Sequence, residues 1–279
     1  MRPPKLALGD FFEGPAGPLF GVADDPPEGF EGAPVGVVTV APFMEERQDT
    51  HELYRALGRH LAGRGVPTFR FDLRGTGDAH GAWDEATVEG WLDDIARAVS
   101  LHRERTGVRE IALLGLRFGA LLAAAAATRV GAARLALVQP VLKGSAYLMD
   151  VLRAHLAAEM VLHKRAGVTR EALVETLQSG RAVNLFGYRL TPAQYRGIQP
   201  LDLAAALDGF DGQSLVVDVV RTEQARGSKE LEALKAHPSG RVTVARAVEA
   251  QTLYVEGKLR NVQSENLARL LDTFFGVTS

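Results

Sequence analysis

The chain has no cysteine, which excludes a disulfide framework, a thiolate nucleophile and a cysteine zinc site. It has no excess of either charge: 32 Lys and Arg stand against 34 Asp and Glu, a formal charge of −2. No long footprint of phosphates can be neutralised by so balanced a chain, so nucleic-acid binding is not expected. It lacks a long uninterrupted apolar run as well. The nearest approach, Ile111 to Val138, is broken by Gly115, Arg117, Gly119, Arg129, Gly131 and Arg134. Charges are costly in lipid and the glycines divide the tract into strand, turn, helix and strand, so no membrane span is expected. The opening stretch, MRPPKLALGDFFEGP, carries a very short apolar segment cut by Asp10, and the expected location is the cytoplasm.

What remains is an ordinary folded composition, 46% hydrophobic and 24% charged over 279 residues. Strand patterns alternate with amphipathic helix patterns, which predicts a mostly parallel sheet covered on both faces. Residues 4–24 read as a short antiparallel pair, with Gly14, Pro15, Gly17 and Pro18 in the turn. Val35 to Ala41 is apolar throughout, as in a strand buried on both faces. A helix is expected from about Asp49 to Ala62, where Leu53, Leu57 and Leu61 share a face, and another from about Thr87, with Val88, Trp91, Leu92, Ile95 and Val99 in one stripe. Between residues 142 and 200 the alternation fails and the segment reads as an inserted helical cap. The expected division is therefore a core of 1–141 and 201–279 with a cap of 142–200.

The informative motif is Gly115-Leu116-Arg117-Phe118-Gly119, a strand running into GxxxG and then an alanine-rich helix. That is the setting of the nucleophile elbow of α/β-hydrolases, written GxSxG, in which the turn is strained and the helix approaches the sheet closely. Upstream, Asp72-Leu73-Arg74-Gly75-Thr76-Gly77-Asp78 resembles the DxRGxGxS loop of the same superfamily. Together they imply an α/β-hydrolase fold. A narrower resemblance lies in Ala41-Pro42-Phe43-Met44-Glu45-Glu46, Trp91-Leu92-Asp93-Asp94, GLRFGALLA at the elbow, and Gln139-Pro140-Val141. These are similar to the exosortase A system-associated hydrolase 2 group, found beside bacterial exopolysaccharide and protein-sorting genes. The similarity spans about residues 35–160. In that group a histidine commonly precedes Pro-Phe, where this chain has Ala41.

A hydrolase of this fold needs a nucleophile at the elbow, an acid after a late strand and a histidine after the last strand. Arg117 stands where the serine belongs, and a guanidinium neither deprotonates near neutral pH nor attacks. No histidine follows His237, so the loop around Glu249 to Gly257 lacks the base. Glu223 is near the acid's position, but without a base to orient it is an orphan. Ser145, just past Gln139-Pro140, is a weak alternative nucleophile, since a loop serine is more often a cap or turn residue. The histidines show no metal-ligand spacing, and neither metal nor cofactor is expected.

An elbow turns its middle side chain into the pocket, so Arg117 is expected to bring a fixed cation there, and a buried cation needs a partner. Glu45 or Glu46, in the loop that builds the oxyanion hole, can form a bidentate pair with it. Such a pair either locks the loop or leaves Arg117, together with Arg221, to anchor a carboxylate, phosphate or carrier-bound acyl group. The backbone N–H groups of Phe118 and of Phe43 or Met44 are candidates for an oxyanion nest. Asp72 and Arg74 are read as braces of their loop and Asp78 as a cap of the next element. The functional expectation is a degenerate hydrolase binding a small acidic or acyl ligand, or a protein partner. The alternative is an active hydrolase or acyltransferase on an ester or thioester with a rearranged site.

Overall fold

The computed structural model describes residues 9–28, 35–163, 167–249 and 264–277. Its centre is an eight-stranded sheet. In chain order the strands are β1 (Gly9–Glu13), β2 (Pro18–Asp24), β3 (Val35–Val40), β4 (Thr68–Phe71), β5 (Glu110–Leu116), β6 (Arg134–Val138), β9 (Gln213–Val220) and β10 (Val242–Val248). They lie side by side as β1-β2-β4-β3-β5-β6-β9-β10, and only β2 runs against the rest. This is the α/β-hydrolase arrangement that the elbow motif implies.

Helices cover both faces because the strands bury both. In β3, Val35 and Val37 pack with Leu53, Leu57 and Leu61 of α1 (Glu45–Gly63) and Leu267 and Leu271 of α9 (Glu265–Phe275). Val38 and Val40 point the other way, to Trp91 and Ile95 of α2 (Val88–Thr106) and to α3 (Phe118–Ala127). Side chains alternate across a strand, so a run of consecutive valines feeds two cores. Burying each such leucine or valine contributes roughly 1.5–3 kcal/mol before entropy is subtracted.

Three expectations are corrected. First, α1 begins at Glu45, four residues before the expected Asp49, so both glutamates lie in its first turn. No Ser, Thr, Asp or Asn announces this start, because Met44 occupies the N-cap position without a side-chain bond. Second, the segment between β6 and β9 is not purely helical. It holds α4 (Gly144–His163), α5 (Arg170–Gln178), α6 (Pro192–Ile198) and α7 (Leu203–Asp208), but also a hairpin of β7 (Val183–Leu185) and β8 (Tyr188–Leu190). Phe186 and Gly187 turn that hairpin with φ of 53° and 89°, as a two-residue turn with positive φ at both positions requires. Third, Asp78 caps nothing: α2 is capped by Thr87, and the Asp78 N–H donates to Asp72. The remaining helix, α8 (Lys229–Ala233), lies between β9 and β10.

Asp72 and Arg74 do brace their loop. Asp72 pairs with Arg47, and Arg74 donates its backbone N–H, Nε and Nη2 to the fully buried carboxylate of Asp94 at 2.6–3.1 Å. No helix among the described residues is long and apolar enough to cross a membrane.

Candidate functional site

β3 and β5 are neighbours, and each ends in the same unusual bend. Arg117, after β5, has φ 54° and ψ −124°; Met44, four residues past β3, has φ 51° and ψ −130°. A non-glycine residue in this region is strained, and such strain gathers at functional sites. Close packing enforces it. A Cβ on Gly119 would stand 2.3 Å from the Val40 carbonyl oxygen, and one on Gly115 would stand 2.5 Å from the Gly119 oxygen. Thus the GxxxG frame serves the approach of α3 to the sheet, whatever residue sits at its centre.

Hydrogen bonds pin the bend in place. The Arg117 N–H donates to Val138 at 3.0 Å, and its carbonyl accepts from Val141 at 3.2 Å. The buried Tyr54 hydroxyl donates to the Val40 carbonyl at 2.6 Å and accepts from the Leu116 N–H at 2.9 Å, tying the two strand ends together. Neither α1 nor α3 has a side-chain cap. Their first N–H groups, which have no partner inside a helix, are held where the dipoles favour negative charge.

Between these helix starts and α4 lies a cleft of about 200 Å³. Its apolar wall is Phe43, Met44, Tyr147, Val151, Ala154 and Phe186; its charged groups are Arg117, Glu45, Glu46 and Asp150. Arg117 donates from Nε to Glu46 Oε1 at 3.1 Å. Of the two expected partners it is Glu46 that pairs, through one hydrogen bond rather than two. The Arg117 side chain is 37% exposed, the Glu46 side chain 11%. The second Glu46 oxygen, Oε2, is buried with no hydrogen-bond partner among the described residues. Burial pushes the Glu46 carboxyl above the usual carboxylate range, against the opposing pull of Arg117 and the Tyr147 hydroxyl.

Five of the sequence-predicted residues therefore meet here: Phe43, Met44, Glu45, Glu46 and Arg117. The ring of Phe118 does not line the cleft. It is fully buried, stacked on Tyr147 with centroids 5.3 Å apart, and what it has left to offer is its N–H at the start of α3. Arg221 and Glu223 are exposed in the loop after β9 and do not line the cleft. Ser145 is exposed in the first turn of α4, also outside the cleft lining.

Sequence reasoning missed the α4 and hairpin side of the cleft. Tyr147, Asp150, Val151 and Ala154 are spaced i, i+3, i+4 and i+7, one face of a helix. That spacing was the available signal. Phe186 reaches the cleft from its left-handed hairpin position, with its N–H 3.4 Å from His155 Nδ1 and its ring edge-on to the imidazole at 5.1 Å.

A serine, a histidine and an aspartate do meet elsewhere. His237 Nδ1 is 2.9 Å from Ser239 Oγ, and its Nε2 is 3.2 Å from Asp208 Oδ1. These residues lie where β9 and β10 begin, at the opposite end of the sheet from the cleft. The imidazole also accepts the Ser239 N–H at 3.3 Å, closing its own turn. The loop after Glu249, where the fold carries its catalytic histidine, lies outside the described residues from 250 to 263, and its sequence has no histidine. Among the described residues no cluster of three His, Cys, Asp or Glu is placed to hold a metal.

The sheet order and the elbow define an α/β-hydrolase. The model of the hydrolase family described as serine aminopeptidase, S33, matches residues 36–185, and the chain belongs to that family. A comparison with curated protein sequences finds no match. Among solved structures, Est1E from Butyrivibrio proteoclasticus with bound ferulic acid is similar at a TM-score of 0.65 and 18% identity, over 95% of this chain and 97% of that one. The Pyrococcus furiosus esterase Pf2001 is similar at 0.58 and 13% identity, over 88% and 81%. The thioesterase domain from the curacin biosynthetic pathway is similar at 0.55 and 17% identity, over 97% and 99%. At such identities the likeness is one of fold.

Proposed function

We propose that this chain is a hydrolase homologue without serine chemistry, which binds a small carboxylate or acyl group in the cleft, with residues 142–200 as the cap over it. The observation that carries the reading is Arg117 itself: it fills the elbow and spends only Nε on Glu46. The Nη1 and Nη2 edge is the part suited to grip a carboxylate or an acyl oxygen in bidentate fashion. The apolar wall from Phe43 to Phe186 suits the body of such a ligand. Motif resemblance supports bacterial exopolysaccharide or sorting systems as the place to look for a protein partner, and the opening stretch of the sequence supports a cytoplasmic setting. Pseudoenzyme is the term for this chain if binding is all that the cleft does.

Ferulate, the ligand bound in the Est1E structure, is a suitable probe. Calorimetric titration of the full chain is expected to show saturable binding, weakened about 10–100-fold in Arg117→Met by loss of a charge-assisted hydrogen bond. A fluorophosphonate probe is expected to leave the protein unlabelled. Rapid stoichiometric labelling, or ferulate binding indifferent to Arg117→Met, overturns the reading.

A further inference from the structure

Thr39 is the one polar side chain of β3, and it is 3% exposed. Its hydroxyl makes no hydrogen bond to any described residue. Valine has the same shape and buries no unpaired donor, so a strand sealed at this point would be more stable with it. Thr39 instead borders a recess of about 150 Å³ on the α1 side of the sheet, which shares no lining residue with the cleft at Arg117. A single water needs only about 10–15 Å³ of such space, so the recess has room for an organic molecule.

The ladder and the helix period bring hydrogen-bond donors to this place. Arg70 of β4 is the partner of Thr39 in the parallel ladder, so both side chains leave the sheet on the same face. On α1, Arg47, His51 and Tyr54 are spaced i, i+4 and i+7, one helix face laid over the recess. The Arg70 side chain is 13% exposed and spends Nε on Asp24 at 2.9 Å, while its Nη groups are hydrogen-bonded to no described residue. Arg47 gives Nη2 to Asp72, whose other oxygen accepts the Asp78 N–H. Asp24 and Asp72 are thus engaged already. The groups with bonds still to make are the Arg70 Nη pair, the Thr39 hydroxyl, the His51 ring and, at the exposed rim, the Asp78 carboxylate.

We propose that the recess is a second binding site, for a small molecule with one oxyanion end, a carboxylate or a phosphate monoester, and hydroxyls at the other end. The Nη edge of Arg70 and the Thr39 hydroxyl take the oxyanion. Asp78 accepts from a ligand hydroxyl at the rim and repels a second negative charge there. Phe20, Val22 and Phe71 supply the apolar wall for the carbon chain.

Calorimetric titration of the full chain with glycerol 3-phosphate, glycerate and glycerol tests the site and separates the two kinds of oxyanion. At least one of the two anions is expected to bind saturably, and glycerol not at all. Thr39→Val should weaken that binding about 10-fold, the loss of one hydrogen bond to a charged group, with a urea midpoint equal to or above that of the parent. Arg70→Met should abolish binding. Because it strands Asp24 in the core, the double variant Asp24→Asn, Arg70→Met repeats the measurement without the unpaired buried charge. Arg117→Met should bind as the parent does, which keeps this result apart from that of the cleft. The second site is overturned if neither anion binds saturably, if glycerol binds as tightly, if Thr39→Val keeps full affinity, or if binding is lost with Arg117→Met. A lower urea midpoint in Thr39→Val also overturns it, since the hydroxyl then serves the fold rather than a ligand.

Discussion

Met44 and Arg117 share one backbone conformation, within 3° in φ and 6° in ψ, at the ends of two hydrogen-bonded strands. The strain can be read directly at the second position. Arg117→Gly and Arg117→Ala remove the same ion pair, but only alanine keeps a Cβ in a region that favours glycine. The glycine variant is therefore expected to be the more stable by about 1–2 kcal/mol, the reverse of their order inside a helix. Urea midpoints at constant m-value report the difference, and an alanine variant equal to or above glycine shows that the bend stores no strain.

Tyr54 lends one hydroxyl to two backbone groups, the Val40 carbonyl and the Leu116 N–H. In Tyr54→Phe the ring remains but both groups lose a partner within the core. The expected loss of stability is about 2–3 kcal/mol, well beyond that of an ordinary hydroxyl deletion. Hydrogen exchange at Leu116 should accelerate in the same variant; unchanged protection there means that the hydroxyl does not tie the strand ends.

His102 gives the fold an acid-sensitive point. It is fully buried, with Nε2 3.1 Å from the Pro67 carbonyl and its ring stacked on Phe69 at 5.9 Å. Burial lowers its pKa to about 4, helped by Arg105 and opposed by the Pro67 carbonyl and Asp25. The unfolded chain takes up the proton near pH 6.5 and the folded chain only near pH 4, so stability is lost as pH falls through that window. The histidine accounts for up to roughly 3 kcal/mol of the loss. Unfolding free energy followed from pH 7 to 4 should fall less steeply in His102→Gln, and parallel curves for the two proteins count against a buried neutral imidazole.

Much of this was legible in the sequence, for reasons that differ by residue. The valines of β3 admit only a strand buried on both faces, and Gly115 and Gly119 mark a contact too close for any side chain. A pairing of Arg117 with Glu45 or Glu46 followed from charge and loop position; which of the two, and through how many bonds, did not. The start of α1 did not, because Met44 leaves its helix uncapped. Nor did the hairpin: two three-residue strands around Phe186-Gly187 are too short to show alternation. The α4 face of the cleft had the right spacing, but apolar residues at that spacing read equally well as core. Arg221 was placed by strand order alone, and order does not say which way a loop turns its side chains.

In the ladder, Val40 lies opposite Gly115, and that rung serves as a ruler for everything downstream. Arg117 is two residues beyond it on one strand and Met44 four beyond it on the other. Inserting a single residue after Gly115 would reverse the facing of the guanidinium, since neighbouring residues of a strand face opposite sides. At the far rim the constraint disappears. Gly107, ahead of β5, has open space where a Cβ would stand, and its left-handed φ of 68° closes α2.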